Sequence, residues 1–230
     1  MLDSKSNGIR FEEQGGNGEA VSAKIVREQV ISSALQLLDK LGMEGLTMRK
    51  LADMLGVQVP SLYWHFANKD ALFEAVADTL LEEVATTAVA GEQWQDMFFR
   101  ISCEVRQALL AHRDGARFLA RTYPLSGNVA RISSQMISSL KDAGANDRTA
   151  TWGTFSTLYY VMGFTIEEQA FSEKRPDHNQ SPDLQALLLR YPVAASAWQH
   201  ILKSDPHEGF HFGLNMALQG LAHYLLAPEK

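Results

Sequence analysis

A short segment near residue 60 concentrates side chains that can bind nucleic acid. Hydroxyl, phenol, indole, imidazole and ammonium groups fall within nine residues, at Ser61, Tyr63, Trp64, His65 and Lys69. Such groups donate to phosphates or base edges, and the rings can lie against sugars and thymine methyl groups. The sequence leaves an alternative open, in which Leu62 and Phe66 are core and the remaining side chains are ordinary surface.

A second motif, His207-Glu208-Gly209-Phe210-His211, suggests a different chemistry. The pattern H-E-x-x-H places two imidazoles one helical turn apart to bind zinc, with the carboxylate as general base. Here Pro206 puts the motif in the first turn of a helix, and Leu214 stands where the extended zinc-protease pattern has glycine. A zinc hydrolase is therefore the weaker alternative. We expect no enzyme, no catalytic residue, no metal and no cofactor.

Capping residues predict the elements that position the first segment. Thr47 suits an N-cap and precedes apolar residues at helical spacing. Gly56 can adopt the left-handed conformation that ends a helix, and Pro60 suits the first turn of the next one. Asn68 offers a fresh N-cap soon afterwards. Helix, glycine turn and short helix form the helix-turn-helix pattern, whose second helix enters the DNA major groove.

The same stretch resembles the DNA-binding signature of the tetracycline-repressor (TetR) family of bacterial transcription regulators. The resemblance rests on residues 46–52, 55–57 and 60–69. It implies DNA contacts at the matching positions, which are Thr47, Arg49, Pro60, Ser61, Tyr63, Trp64, His65 and Lys69. Val59 stands where the tetracycline repressor has a base-reading glutamine, which implies the loss of one adenine contact and a different operator.

The chain shows helical periodicity without strand alternation, so the fold class is predicted to be all-α. Residues 1–23 are polar and glycine-rich and are predicted to form a disordered N-terminal arm. Residues 24–70 would form a three-helix, helix-turn-helix DNA-binding domain. Residues 71–230 would form a larger helical domain, which the resemblance assigns to ligand binding and dimerisation. Within it, residues 71–90 are predicted to continue a linker helix that starts at Lys69 and ends near Ala88.

The resemblance also implies a small-molecule site inside the second domain. The candidate ligand-binding residues are Phe98, Ile101, Val105, Leu119, Thr122, Tyr123, Gln135, Trp152, Phe155, Tyr159, Met162 and Glu167. Leu119 stands where the tetracycline repressor has a magnesium-binding histidine, so tetracycline itself is not the expected effector. Glu167 is predicted as a polar anchor, because a carboxylate among apolar neighbours needs a partner. A flat or cationic lipophilic compound would suit such a lining, although a single aromatic residue at helical spacing is more typical of plain core than of a ligand wall.

The last helix, predicted at about 206–226, carries an apolar side and a ridge of small residues. In the TetR family the last long helices form a four-helix bundle across a two-fold dimer. The predicted interface residues are Phe210, Gly213, Leu214, Ala217 and Leu221. A dimer would present two recognition helices about 34–36 Å apart, one turn of DNA. Packing within one chain remains the alternative.

Charge and composition indicate the cellular location of the protein and the partners that it can have. The chain has a net charge of −6, but residues 24–70 carry six Lys and Arg against five Asp and Glu. One cysteine, Cys103, excludes an internal disulfide, and no apolar run is long enough to span a bilayer. These features predict a cytoplasmic protein without a membrane partner, and the resemblance implies a homodimer. Its predicted partners are operator DNA and a small effector, and a helical interaction protein without DNA binding is the other alternative.

Overall fold

The computed structural model describes residues 26–122, 126–173, 186 and 188–226, and every regular element within them is an α-helix. The predicted all-α fold is confirmed. The predicted N-terminal arm and Tyr123 lie outside the described residues. The helices are α1 Arg27–Gly45, α2 Met48–Leu55, α3 Val59–Tyr63, α4 Lys69–Thr79, α5 Trp94–Leu110, α6 Gly115–Arg121, α7 Gly127–Asp142, α8 Asp147–Glu173, α9 Pro192–Lys203 and α10 Pro206–Leu226.

Local capping sets the boundaries of α2 to α4. The Thr47 hydroxyl accepts a hydrogen bond from the Lys50 amide at 3.3 Å, and the Asn68 side chain accepts one from Ala71 at 2.8 Å. Gly56 has φ 67° and ψ 29°, a left-handed conformation that costs other residues more than glycine. Each predicted signal therefore starts or ends the predicted helix. Helices α1, α2 and α4 surround a core that includes Leu38, Leu51, Leu62, Phe66 and Leu72.

One helix is kinked, and one predicted helix end differs from the structure. Helix α1 kinks at Gly42, where φ is 71°, and continues to Gly45. The helix predicted to run to about Ala88 ends at Thr79, and residues 80–85 follow as a series of turns, which we call the junction turn. Its apolar side chains are buried, which explains why the sequence periodicity continues although the helix does not.

Groups from the second domain satisfy the backbone of the junction turn. The Arg131 guanidinium of α7 donates to the carbonyls of Leu81 and Glu82, at 3.2 and 3.1 Å, and also to that of Val84. The Ala85 amide donates to Glu104 at 2.7 Å, and its carbonyl accepts from Gln135 at 3.0 Å. Because buried backbone groups must be paired, these partners replace the bonds that a continued helix would supply.

Helix α8 is the centre of the second domain. Helices α5, α6, α7 and α10 all pack against it. Its inward face is formed by Ala150, Thr154, Thr157, Val161 and Thr165. Helix α9, Pro192–Lys203, was not predicted from the sequence. It contacts α8 through Trp198 and Phe171, with ring centres 6.3 Å apart.

Helix α10 lies against α8 at close range. The Tyr160 hydroxyl donates to the Phe210 carbonyl at 2.8 Å, and the Tyr160 ring lies where a Cβ on Gly213 would be. Gly213 therefore allows the two helices to approach. No helix in the described part of the chain is both long and apolar enough to cross a bilayer.

We expect Arg131→Gln to lower the free energy of unfolding by about 1.5–3 kcal/mol, because it removes charge-assisted bonds to three backbone carbonyls. Amide hydrogen exchange within residues 80–85 should accelerate selectively. Arg148→Gln, on the exposed first turn of α8, is the control and should change stability by less than about 0.5 kcal/mol. Equal effects of the two substitutions on stability and exchange would contradict a specific role for Arg131.

Candidate nucleic-acid interface and effector domain

The short helix α3 presents aromatic side chains to solvent on a fixed base. Leu62 and Phe66 are buried against α1 and its neighbours, one turn apart. Tyr63 and Trp64 are 47% and 88% exposed. A tryptophan that is almost fully exposed to solvent is unusual and indicates a surface that another molecule covers. Leu62 and Phe66 are therefore core, as the alternative has it, and Tyr63 and Trp64 remain available to a partner.

The other predicted DNA-binding residues lie on the same module. Arg49, Pro60 and Lys69 are exposed, whereas Thr47, Ser61 and His65 are half-buried. The Lys69 ammonium lies 4.8 Å from the centre of the Phe73 ring, which orients it at the start of α4. All eight predicted positions thus lie on α2, α3 and the start of α4 or on the residues directly next to these helices. Their contacts with DNA stay a prediction.

The candidate ligand residues divide into two groups. Phe98, Ile101, Val105 and Leu119 are buried on the inner faces of α5 and α6. The Thr122 hydroxyl donates to the Leu119 carbonyl at 2.8 Å, and the Gln135 side-chain amide donates to the Ala85 carbonyl of the junction turn.

The remaining candidates lie on α8, and several face outward. Trp152 and Tyr159 are 60% and 62% exposed, Phe155 and Met162 are half-buried, and Glu167 is exposed. The prediction that Trp152, Tyr159 and Glu167 line the interior of one chain is wrong. A hydrophobic stripe shows that a helix face will be covered, but it does not show by what.

The α8 carboxylate that pairs with a buried cation is the half-buried Glu168, the residue after the predicted one. Its two oxygens accept from the Arg106 guanidinium at 2.8 and 2.6 Å, and Arg106 is only 2% exposed. The guanidinium carbon lies 4.9 Å from the centre of the Phe210 ring. Consecutive helical residues differ by 100° in direction, so one of two adjacent glutamates turns inward and the other outward.

Two hydroxyls in this interior have no hydrogen-bond partner among the described residues. They are Ser102 on α5 and Thr154 on α8, and both side chains are fully buried. A buried hydroxyl without a partner is costly, and each such group in a folded protein requires an explanation.

The predicted dimer residues lie mostly inside the chain. Phe210, Leu214 and Leu221 are buried, and Gly213 is covered by Tyr160. Of the predicted set, Ala217 alone is exposed. The interface prediction is therefore wrong for Phe210, Leu214 and Leu221, because their side chains are already buried within the same chain. A different face of α10 is exposed and apolar, and it carries Phe212, Met216 and Tyr224.

The histidines of the zinc-like motif contact other groups. His207 Nδ1 lies 3.1 Å from the Arg106 guanidinium, and arginine can only donate, so this nitrogen accepts a hydrogen bond. His211 Nε2 lies 3.8 Å from the Cys103 sulfur. A guanidinium beside a metal ligand would oppose cation binding. Burial raises the pKa of the Cys103 thiol, the opposite of what a thiolate nucleophile requires. The hydrolase alternative is not supported.

An exposed helix-turn-helix followed by a larger helical domain defines a DNA-binding transcription regulator, and similar proteins agree. Residues 30–76 match the profile of "Bacterial regulatory proteins, tetR family", and residues 89–225 match "Tetracyclin repressor-like, C-terminal domain". The chain belongs to the TetR family. It is 37% identical over 201 residues to the class C tetracycline repressor protein of Escherichia coli, an alignment that covers 86% of this chain and 91% of that protein.

Two solved structures show the same architecture. One is the Q116A variant of TetR from Acinetobacter baumannii AYE in complex with minocycline, at 30% identity and a TM-score of 0.70, covering 88% of this chain and 99% of that one. The other is BioQ with its natural double-stranded DNA operator, at 30% identity and a TM-score of 0.67, covering 86% and 98%. Regulators of the TetR family are transcription factors.

We expect Glu168→Gln to lower the free energy of unfolding by about 3 kcal/mol, because it leaves the buried Arg106 cation without a counter-charge. Glu167→Gln removes the same charge one residue earlier, on the exposed side, and should have an effect below about 0.5 kcal/mol. Urea unfolding at one fixed protein concentration would measure both. Equal losses of stability would show that Glu168 is not the partner that matters.

Proposed function

We propose that the protein is a homodimeric repressor that binds a palindromic operator and is released from it by a small, largely apolar or aromatic ligand. The observation that carries the proposal is the exposed Tyr63-Trp64 pair, held outward by the buried Leu62 and Phe66. Support comes from BioQ, which has been solved with its operator, and from a TetR variant solved with minocycline. The alignments with these two structures cover nearly the same share of this chain.

Binding to DNA would depend on local contacts, since the chain as a whole is acidic. Arg49 and Lys69 are exposed cations beside α3 and can neutralise phosphates. Tyr63 and Trp64 can lie against sugars and bases, so their removal would affect affinity without disturbing the core. Affinity should fall steeply as salt rises, because each neutralised phosphate releases counterions.

We expect Tyr63→Ala and Trp64→Ala each to weaken operator binding roughly 10-fold or more without lowering the melting temperature. The operator would come from selection of bound sequences in a random DNA pool, and affinities from titration at two salt concentrations. Tyr191→Ala is a matched control, because Tyr191 is exposed to a similar extent but precedes α9 in the second domain. Selection of no sequence by the wild type at any salt concentration would refute operator binding.

Dimerisation would use the exposed apolar faces of α8 and α10. The exposed residues are Trp152, Tyr159, Phe212, Met216 and Tyr224. Gly163 and Gly220 have open space around them, so another helix could approach closely there. A monomer that exposed these large side chains would be prone to association. Two copies packed through α8 and α10 would bury them and form a four-helix arrangement.

We expect Met216→Glu to convert the dimer to a monomer, because the new carboxylates would be buried at the interface. Operator affinity should fall with it, since a monomer contacts one half-site. Asn215→Glu adds the same charge about 100° around α10, on the side that carries Glu208 and Gln219, and should leave the dimer intact. Sedimentation velocity would measure both. A wild-type monomer, or a dimeric Met216→Glu, would contradict the proposed interface.

Release by an effector would pass through the contacts between the two domains. Gln135 of α7 donates to Ala85 of the junction turn, which continues from α4. The Asp114 carboxylate, in the turn before α6, accepts from the Met43 amide of α1 at 2.8 Å. A ligand among Phe98, Ile101 and Leu119 that shifted α6 or took the Gln135 amide would move α1 and α4 together. Allosteric coupling of about 1–3 kcal/mol is typical for such regulators.

A further inference from the structure

The residue that closes the turn between α2 and α3 carries a free amide. Gln58 is exposed and immediately precedes α3, with φ −82° and ψ 146°. Its backbone carbonyl accepts from the Ser61 amide at 2.9 Å, which fixes the main chain. Its side chain makes no capping bond to α3, and within the described residues it has no hydrogen-bond partner of its own.

The residues that follow Gln58 cannot provide the same chemistry. Val59 is half-buried and packs against the core of the DNA-binding domain. Pro60 has no side-chain donor or acceptor, and Ser61 is half-buried. Among residues 58–61, at the entry into α3, Gln58 therefore holds the one long polar side chain that lies in solvent.

A glutamine amide at this position has a specific partner in DNA. The first residues of a recognition helix are those that contact base edges in the major groove. A glutamine side chain presents one donor and one acceptor together, which match N7 and the N6 amino group of adenine. Because the Gln58 amide is free in the protein, it would lose no internal hydrogen bond on binding.

We propose that Gln58 is a specificity-determining residue that reads one adenine in each half of the operator, a task that the half-buried Val59 cannot perform. The proposal rests on the operator binding proposed above and adds the identity of a base-reading side chain. In a two-fold dimer the two Gln58 side chains would read symmetry-related adenines, so the preference appears at two mirrored positions of the palindrome.

The test compares base preferences rather than total affinity. The full-length wild type, Gln58→Ala, Gln58→Glu and Gln36→Ala would each select bound sequences from one random DNA pool. Titrations would then use operators that differ at each pair of mirrored positions. Gln36→Ala is the matched control, since Gln36 is exposed on α1 but borders a groove with Thr79 and His112, on the side of the second domain.

The wild type and Gln36→Ala should prefer adenine at one mirrored pair by about 5- to 150-fold per half-site, and Gln58→Ala should lose this preference alone. Gln58→Glu should change the preferred base there to cytosine, because a carboxylate accepts from the cytosine amino group. Unchanged preferences in Gln58→Ala, or equal weakening of every sequence, would overturn the proposal while operator binding stands. Absence of any selected sequence with the wild type would overturn both.

Discussion

The position of the DNA-binding domain depends on how the backbone of residues 80–85 is satisfied. Helix α4 starts beside α3 and ends at Thr79, and the turns that follow are hydrogen-bonded by side chains of α5 and α7. A turn whose carbonyls are held by Arg131 cannot shift independently of α7. The main chain between the two domains is therefore anchored to the second domain, and a displacement of α7 would be transmitted to α4.

Helix α8 borders both the interior of the second domain and an exposed apolar surface that a partner would cover. Its inner face is rich in hydroxyls, its flank is covered by α10, and a third side carries Trp152 and Tyr159 in solvent. A helix that is apolar on several sides is normally buried on several sides. Helix α8 thus borders both the proposed effector site and the proposed dimer interface. A ligand in the effector site can therefore influence the packing of the dimer interface.

The helix-turn-helix could be predicted in detail because its determinants are local. Thr47 and Asn68 accept hydrogen bonds from amides three residues ahead, and Gly56 adopts a left-handed conformation. These interactions involve neighbours in sequence, so residue type and spacing are sufficient to identify them. The separation of core from surface in α3 follows in the same way, since Leu62 and Phe66 are one turn apart and the aromatic residues between them must face elsewhere.

The sequence by itself thus determined the helical class, the DNA-binding module and the apolar stripes of α8 and α10. Only the tertiary structure decided what each stripe contacts: Leu214 faces α8 of the same chain, whereas Tyr159 faces solvent. It also decided that Glu168, not Glu167, pairs with Arg106, and that α4 stops at Thr79. The periodicity of a helix shows that one face is apolar, but the surface that covers this face is formed by residues distant in sequence. Because adjacent helical residues point 100° apart, only one of the two contacts that surface.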